Sequence, residues 1–516
     1  MTSFETGGGA GLHGDFGLLN PVSASPLVTA LTGDRAVLAA ILEVEAAWAA
    51  VLDEAGLAPA GSAAVVATAA QVQRYDVADI AVRAQGGGNP VIPLLADLRE
   101  QVRALDGAGL GAVRAVHTSL TSQDVLDSAL MVLATRAVRE LLTELTAATS
   151  ALAGLAEAHA RTLCVGRSLT QHSLPFSFGL RAAQWFAGLA AAGRRLEALE
   201  LPVQTGGAAG TLAAGTVLTS GAALTPGTGL IAGPLSPFDL SDRLAARLGL
   251  ATVPAPWHTN RVAVTSLGDA LATVTDAAGK IAADVLFLSR PEVAELAEPR
   301  AAGRGVSSAM PQKQNPVLSV LIRSAALQAP ALAAQLHLAA ANFNDERPDG
   351  AWHSEWAALR QLLRLALGAA GQLRELAEGL QVFPGSMRRN LDLAGPLLLA
   401  EAVNSAVAPL LDARSAGAGP GRAGKQLLQE VVDQTLQAPA SEQAAIYRKL
   451  LRAAVPEELL ADSRLEELLD PANYLGQAVE ITRRILAAYP EYAAGPAAPE
   501  YDRATAHQLQ NGASRG

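Results

Sequence analysis

Asp124-Val125-Leu126-Asp127-Ser128-Ala129-Leu130-Met131-Val132-Leu133-Ala134 opens a run that continues through residue 160 with no proline and one glycine, Gly154. Leu126, Leu130, Leu133, Val138, Leu141, Leu142, Leu145 and Leu152 recur along it at the spacing that gathers apolar side chains on one helical face. This predicts a single helix of unusual length, which gains most of its stability by packing against others. Similar runs cover 175–199, 262–288, the residues after Asn315-Pro316, and 353–380, with another over 34–57 that Gly56 can close. Proline suits the first position of the helix that follows Asn315. No sustained alternation of apolar and polar residues marks strands, and no repeat of fixed period is visible. The expected fold is all-α, with a long central helical bundle and smaller N- and C-terminal helical domains.

Composition supports this. Half of the 516 residues are hydrophobic but only 4% are aromatic, so the core is built from Ala, Leu and Val, residues that let helices approach closely. The net charge is 39 − 49 = −10, which argues against nucleic-acid or anionic-membrane partners, both of which select a basic face. The length calls for several domains. The expected division is 1–120 (the first ~30 residues poorly ordered), 121–370, 371–493 and a flexible tail over 494–516. One cysteine, Cys164, excludes an intrachain disulfide framework and fits a reducing, cytoplasmic setting. The first basic residue is Arg35, so no secretory signal is expected. The uncharged stretch 201–238 is interrupted by glycines, Pro226 and Pro234, and reads as loop and turn, not membrane span.

Several chemistries can be set aside. Gly206-Gly207-Ala208-Ala209-Gly210-Thr211 lacks both a preceding strand and the Lys-Ser/Thr ending of a phosphate loop, and reads as a flexible turn. No G-x-S-x-G elbow occurs, and Cys164, between Leu163 and Val165, reads as a buried thiol. The eight histidines form no i, i+4 pair with acidic support, so no metal site is expected.

Three polar islands remain, each at a helix boundary. His117-Thr118-Ser119-Leu120-Thr121-Ser122-Gln123-Asp124 precedes the longest helix. Thr121 with Asp124 reads either as a helix cap or as a carboxylate site in which free N–H groups join the Thr121 and Ser122 hydroxyls. Gly166-Arg167-Ser168-Leu169-Thr170-Gln171-His172-Ser173 places Arg167, Gln171 and His172 between two apolar helices, as satisfied buried groups or as substrate donors. Gly303-Arg304-Gly305-Val306-Ser307-Ser308-Ala309-Met310-Pro311-Gln312-Lys313-Gln314-Asn315-Pro316 delivers two hydroxyls, a lysine and an asparagine on a glycine-flanked loop ahead of a helix.

Ser307 to Pro316 resembles the S-S-x-M-P-x-K-x-N-P loop of the fumarase/aspartase superfamily, and the first two islands match its other active-site segments in order, over roughly residues 30–450. Gly88-Asn89-Pro90-Val91-Ile92-Pro93-Leu94, Pro256-Trp257-His258-Thr259 and Gly350-Ala351-Trp352-His353-Ser354-Glu355-Trp356 resemble its bacterial 3-carboxy-cis,cis-muconate cycloisomerase branch. The resemblance implies a homotetramer whose long helices form a shared bundle, with active sites built from three subunits. It implies proton exchange by Ser307 on the carbon beside a carboxylate, with Lys313 and Asn315 stabilising developing charge. The implied substrate is a small tricarboxylate. Its implied binding set is His117, Thr121, Ser122, Arg167, Gln171, His172, Gln204, Arg261, Ser308, Met310 and Arg347, though Arg261 and Arg347 also read as structural ion-pair partners. No metal or organic cofactor is implied.

One departure separates the branches. Where fumarases and amino-acid lyases read R-T-H in the second island, this chain has Arg167-Ser168-Leu169. Losing a general acid costs ~10²- to 10⁴-fold in rate. A carboxylate leaving group, whose acid has a pKa near ~4, departs at neutral pH without one. Leu169 therefore favours lactone formation over fumarate release from a succinyl adduct. Val306 stands where relatives have glycine before the serine pair, and Thr118-Ser119-Leu120 replaces a W-G-A. A non-catalytic helical paralogue is the third reading, against which Ser307, Lys313 and Asn315 stand.

Overall fold

The computed structural model describes residues 17–107, 109–222, 235–307, 309–310, 312–416 and 423–494. They are mostly helical, and the fold is all-α. The elements that carry the site are α1 (Asp34–Glu54), α2 (Ser122–Ala158), the strands β1 (Leu163–Ser168) and β2 (Gln171–Ser177), α3 (Phe178–Glu197), α4 (Val262–Leu288), α5 (Val317–Ala340) and α6 (Gly350–Gly379). The predicted long helices therefore form, with α4 at its expected bounds.

The chain divides into two compact units, the first of residues 1–144, 192–279 and 321–372, the second of 145–191, 280–320 and 373–516. In the first unit helices approach through small residues. A Cβ on Gly268 of α4 would lie 2.6 Å from a Leu336 methyl of α5, and one on Gly279 would lie 2.5 Å from the Ala326 Cβ. Such contacts are closer than side chains tolerate, which is why an Ala- and Gly-rich sequence suits this packing. In the second unit a separate core forms around Val403, Val407, Leu411, Leu428, Tyr447 and Leu451, from helices Ala400–Ala416, Gly424–Leu436 and Gln443–Ala454. Burial there pushes the Tyr447 hydroxyl up to about 12.

Three expectations need correction. The second island is not a loop between helices but a β-hairpin, with Ser168 opposite Gln171 and Arg167 opposite His172. Pro175 cannot extend α3 backwards, and cross-strand bonds satisfy the backbone that a helix would otherwise have paired. Residues 17–30 are folded: Ser25 caps a helix at Pro26–Thr32, and Val22 and Val28 are buried. The 201–238 stretch contains a helix at Ala213–Ala222. The expected disorder over 1–16 and beyond residue 494 lies outside the described residues, as does Ser308.

Candidate active site

In the first unit, Thr121 is the residue before α2, and Asp124 stands at its third position. The Asp124 Oδ2 accepts from the Thr121 N–H at 2.9 Å, so half of the expected capping pair forms. The Thr121 hydroxyl is used otherwise: it accepts from Arg347 Nη1 at 2.9 Å. Arg347 is exposed and has no carboxylate partner among the described residues. Asp124 already answers part of the positive helix end. Arg347 is thus the charge left over for an anion beside Thr121 and Ser122. His117, in left-handed backbone at φ 61°, lies 2.7 Å through Nδ1 from Glu45 Oε1 on α1. Glu45 is fully buried, so it orients the ring without competing for solvent-side contacts.

The glycine turn is built in, not flexible. Gly207 N–H donates to Asp124 Oδ2 at 2.9 Å, and a Cβ on Gly206 would lie 2.6 Å from His258 Cε1. His258 Nε2 in turn lies 2.7 Å from Asp124 Oδ1. Asp124 therefore ties the start of α2 to the glycine turn and to His258.

Two expected binding residues belong to the interior. Arg261 bonds Asp127 through Nη1 (2.8 Å) and Nη2 (3.1 Å), and Glu355 through Nη2 (2.7 Å) and Nε (3.1 Å). Its guanidinium also lies over the Trp257 and Phe343 rings. Burial works against its charge, but Asp127 and Glu355 outweigh this and hold it fully protonated. Burial raises the Glu355 carboxyl. With every nitrogen engaged, Arg261 is a structural ion-pair partner and not a free substrate cation. Gln204 is likewise consumed: its Oε1 accepts from Trp257 N–H at 2.9 Å, and its main chain pairs with the Ser128 hydroxyl. Both sites are buried because the α2 face bearing Asp127 turns inward.

In the second unit, the Ser307 loop is closed at its neck by a Val306–Gln314 bridge, by Asn315 N–H donating to Gly305 O (2.9 Å), and by Gln314 Nε2 donating to Arg304 O (2.8 Å). Gly305 is required at this neck. Its φ is +67°, and a Cβ would lie 2.4 Å from Asn315 O. Within the loop the Ser307 Oγ accepts from the Met310 N–H at 3.1 Å and the Ala309 N–H at 3.4 Å. These donors stabilise negative charge on the serine oxygen, as proton exchange by a serine requires. Met310 and Lys313 are exposed, and Ser307 is half-buried. The Lys313 ammonium and Asn315 amide make no hydrogen bond or ion pair among the described residues.

At the hairpin tip, Leu169 and Thr170 both adopt positive φ (50° and 70°), the geometry of a two-residue turn that usually takes Asn or Gly. Leu169 is 93% exposed, and Gln171 is exposed beside it. Arg167 instead points inward, with Nη2 2.7 Å from Glu295 Oε1. Burial, then Arg167, lowers the His172 pKa. No hydrogen bond or ion pair among the described residues joins this hairpin to the Ser307 loop. The sequence reading missed Glu45, Asp127, Glu295 and Glu355. The signal was available: Glu45 and Glu355 are acidic residues on the apolar stripes Leu38-Ile41-Trp48 and Trp352-Leu359-Leu362.

The chain is an enzyme of the fumarase/aspartase superfamily: residues 22–330 match the Lyase family, to which it belongs. It is 41% identical to a nitrosuccinate lyase of Streptomyces davaonensis, over 91% of this chain and 94% of that protein. It is 36% identical to a 3-carboxy-cis,cis-muconate cycloisomerase of Bradyrhizobium diazoefficiens, over 91% and 97%. The crystal structure of a 3-carboxy-cis,cis-muconate lactonizing enzyme from Pseudomonas putida is similar at a TM-score of 0.77 and 31% identity, covering 92% of this chain and 99% of that one.

Proposed function

We propose that the chain is a 3-carboxy-cis,cis-muconate cycloisomerase, forming 4-carboxymuconolactone by adding one substrate carboxylate across a double bond. A carboxylate oxygen attacks one alkene carbon. The displaced electron pair moves onto the neighbouring carbon, whose own carboxylate takes up the charge, and Ser307 delivers the proton there. The loop N–H groups then hold the serine oxygen, with Lys313 and Asn315 facing the carboxylate dianion. The observation that favours this reading over fumarate release from a succinyl adduct is the hairpin tip, and the 36% identity to a cycloisomerase supports it. Leu169 occupies the position from which a general acid would act, so the bond at that end must be made to, or broken from, a weakly basic anion.

Arg347 with Thr121, Ser122 and His117 supports a carboxylate-binding role for the first unit, and Gln171 and Met310 are assigned to the same substrate. Assembly as a cytoplasmic homotetramer, and division into the segments 1–120, 121–370 and 371–493, belong to the same proposal.

A second reading is favoured by the 41% identity to a nitrosuccinate lyase. Nitrite is also a weakly basic anion that leaves without protonation, so Leu169 suits it equally. The two readings differ in the substrate's third carboxylate. Incubating the protein with 3-carboxy-cis,cis-muconate while following diene absorbance, and separately with nitrosuccinate while following nitrite, tests both. Diene loss abolished by Ser307→Ala establishes the first, nitrite release abolished by the same change establishes the second, and neither signal sinks both. Leu169→His should raise neither rate more than ~3-fold, because neither leaving group takes up a proton.

A further inference from the structure

Within the second unit, the chain reaches the Ser307 loop along the end of α6. Leu296 pairs with Val382 and Ala297 with Gln381 in a short antiparallel ladder. Pro299 then lies against Gly379, where a Cβ would come 2.5 Å from the Pro299 Cβ. Glu298, between these contacts, serves the other arm of the loop: its carboxylate accepts from the Leu318 N–H at 3.1 Å and the Ser319 N–H at 2.7 Å, at the start of α5. The positive end of that helix is thus answered from inside the protein, and the outgoing arm is fixed.

The incoming arm has less to hold it. Among the described residues, 300–303 make no hydrogen bond or ion pair to another element, and Gly303 sits at φ +76° with open space around it. A glycine there leaves the backbone free to turn. The next contact is Arg304, whose Nη2 meets Glu375 Oε1 of α6 at 2.5 Å. Residues 296, 297, 299 and 304 therefore step along 382, 381, 379 and 375 in order.

Arg304 also belongs to the loop neck. Its carbonyl accepts from Gln314 Nε2, and the adjoining Gly305 carbonyl accepts from the Asn315 N–H, so both strands of the neck move with it. The side chain does little for global stability. Its Nη1 is buried without a hydrogen-bond partner, an unfavourable arrangement that a smaller neutral side chain would avoid. Its carboxylate partner is 46% exposed, and ion pairs so open to solvent contribute little to folding.

We propose that Arg304 is a positioning residue: held by Glu375, it sets where the loop neck sits on α6 and so where the Ser307 oxygen is presented. The proposal rests on the reading of Ser307 as the residue that exchanges the proton, and it applies to either substrate. A displacement of about 1 Å at the reacting atoms costs on the order of 10²-fold in rate, so a contact outside the site can govern turnover without touching substrate.

Arg304→Gln, Glu375→Gln and the double variant test it in two ways: by kinetics on whichever of the two substrates the wild type turns over, and by amide hydrogen exchange over 305–316 without substrate. Each single variant should lower kcat at least ~10-fold with KM kept within ~3-fold, and the double variant should be no slower than the slower single, because the same contact is lost in all three. Exchange over 305–316 should quicken at least ~5-fold in each, with exchange over α4 and the melting temperature unchanged. Glu375 is exposed, so Glu375→Gln decides the matter if Arg304→Gln does not fold. The proposal is overturned by unchanged loop exchange in Glu375→Gln, by losses that multiply in the double variant, or by raised KM at unchanged kcat, which would make Arg304 a substrate contact. If the wild type turns over neither substrate, the reading of the reaction falls, and the exchange measurement alone decides whether Arg304 holds the loop.

Discussion

The Arg261 cluster and the Ser307 loop are both dense in polar residues that belong to active-site motifs, yet the structure treats them oppositely. Around Arg261, Asp127 also accepts from Trp352 Nε1 at 2.9 Å, and every guanidinium nitrogen has a carboxylate. Around Ser307, the side chains of Lys313 and Asn315 have no partner among the described residues, and the described groups aimed at the serine oxygen are backbone donors. A group saturated inside the protein stabilises and positions, whereas one left open can take a substrate. Partner count, and not residue type, separates the two.

The largest effect that sharpens this contrast is expected at the loop. Ser307→Ala should lower turnover ~10²- to 10⁴-fold. Its thermal unfolding should match the wild type, since the half-buried hydroxyl bonds only to backbone N–H groups of its own loop among the described residues. A parallel loss of stability would make the loop structural and erase the contrast. Arg261→Met should do the reverse: it strands Asp127 and Glu355 without a counter-charge and should cost about 3–5 kcal/mol in urea unfolding. A stable Arg261→Met protein with only KM raised would return Arg261 to the substrate set.

A smaller effect concerns Cys164. Burial pushes its thiol up to about 11, against an ordinary value of 9.0. The native protein should therefore resist iodoacetamide at pH 8 and become alkylated only on unfolding, as mass spectrometry would show. The thiol's contribution to stability is complete below its unfolded pKa and is lost as pH rises through about 11. Fast labelling of the native protein would break the reading of Cys164 as an inert core residue.

The smallest effect is on the acid side. Burial lowers the pKa of both His159 and His172. The unfolded chain then takes up protons first, so stability is whole above about 6.5 and falls as pH drops from there toward the depressed folded values. A melting temperature that is flat from pH 7.5 down to 5.5, rising in neither His159→Gln nor His172→Gln at the acid end, would contradict it.

The comparison also explains what the sequence allowed to be read. Helical periodicity predicted α2 and α4 almost to the residue, because a long apolar stripe has few alternative ways to be buried. The Ser307 loop was legible for another reason: its glycines, hydroxyls, lysine and asparagine have no use in a helical core, so their order marks a function. The hairpin was not legible. Its strands are short, Gly166 interrupts the register between Val165 and Arg167, and its turn is made by Leu169 and Thr170, residues that seldom take positive φ. Gln204 was assigned to the substrate, and Arg261 was left open between substrate and structure, because a polar motif residue looks the same in sequence whether its partners are buried groups or a substrate.

Periodicity, composition and one ten-residue loop thus determined the helical class and the superfamily, and they supplied the proposed role of Ser307, since each depends on local spacing along the chain. Only the tertiary structure decided which charges are spent. Asp127 finds Arg261 at a separation of 134 residues, and Arg167 finds Glu295 at 128. Whether a guanidinium meets a carboxylate depends on distances that folding sets and that sequence spacing does not encode.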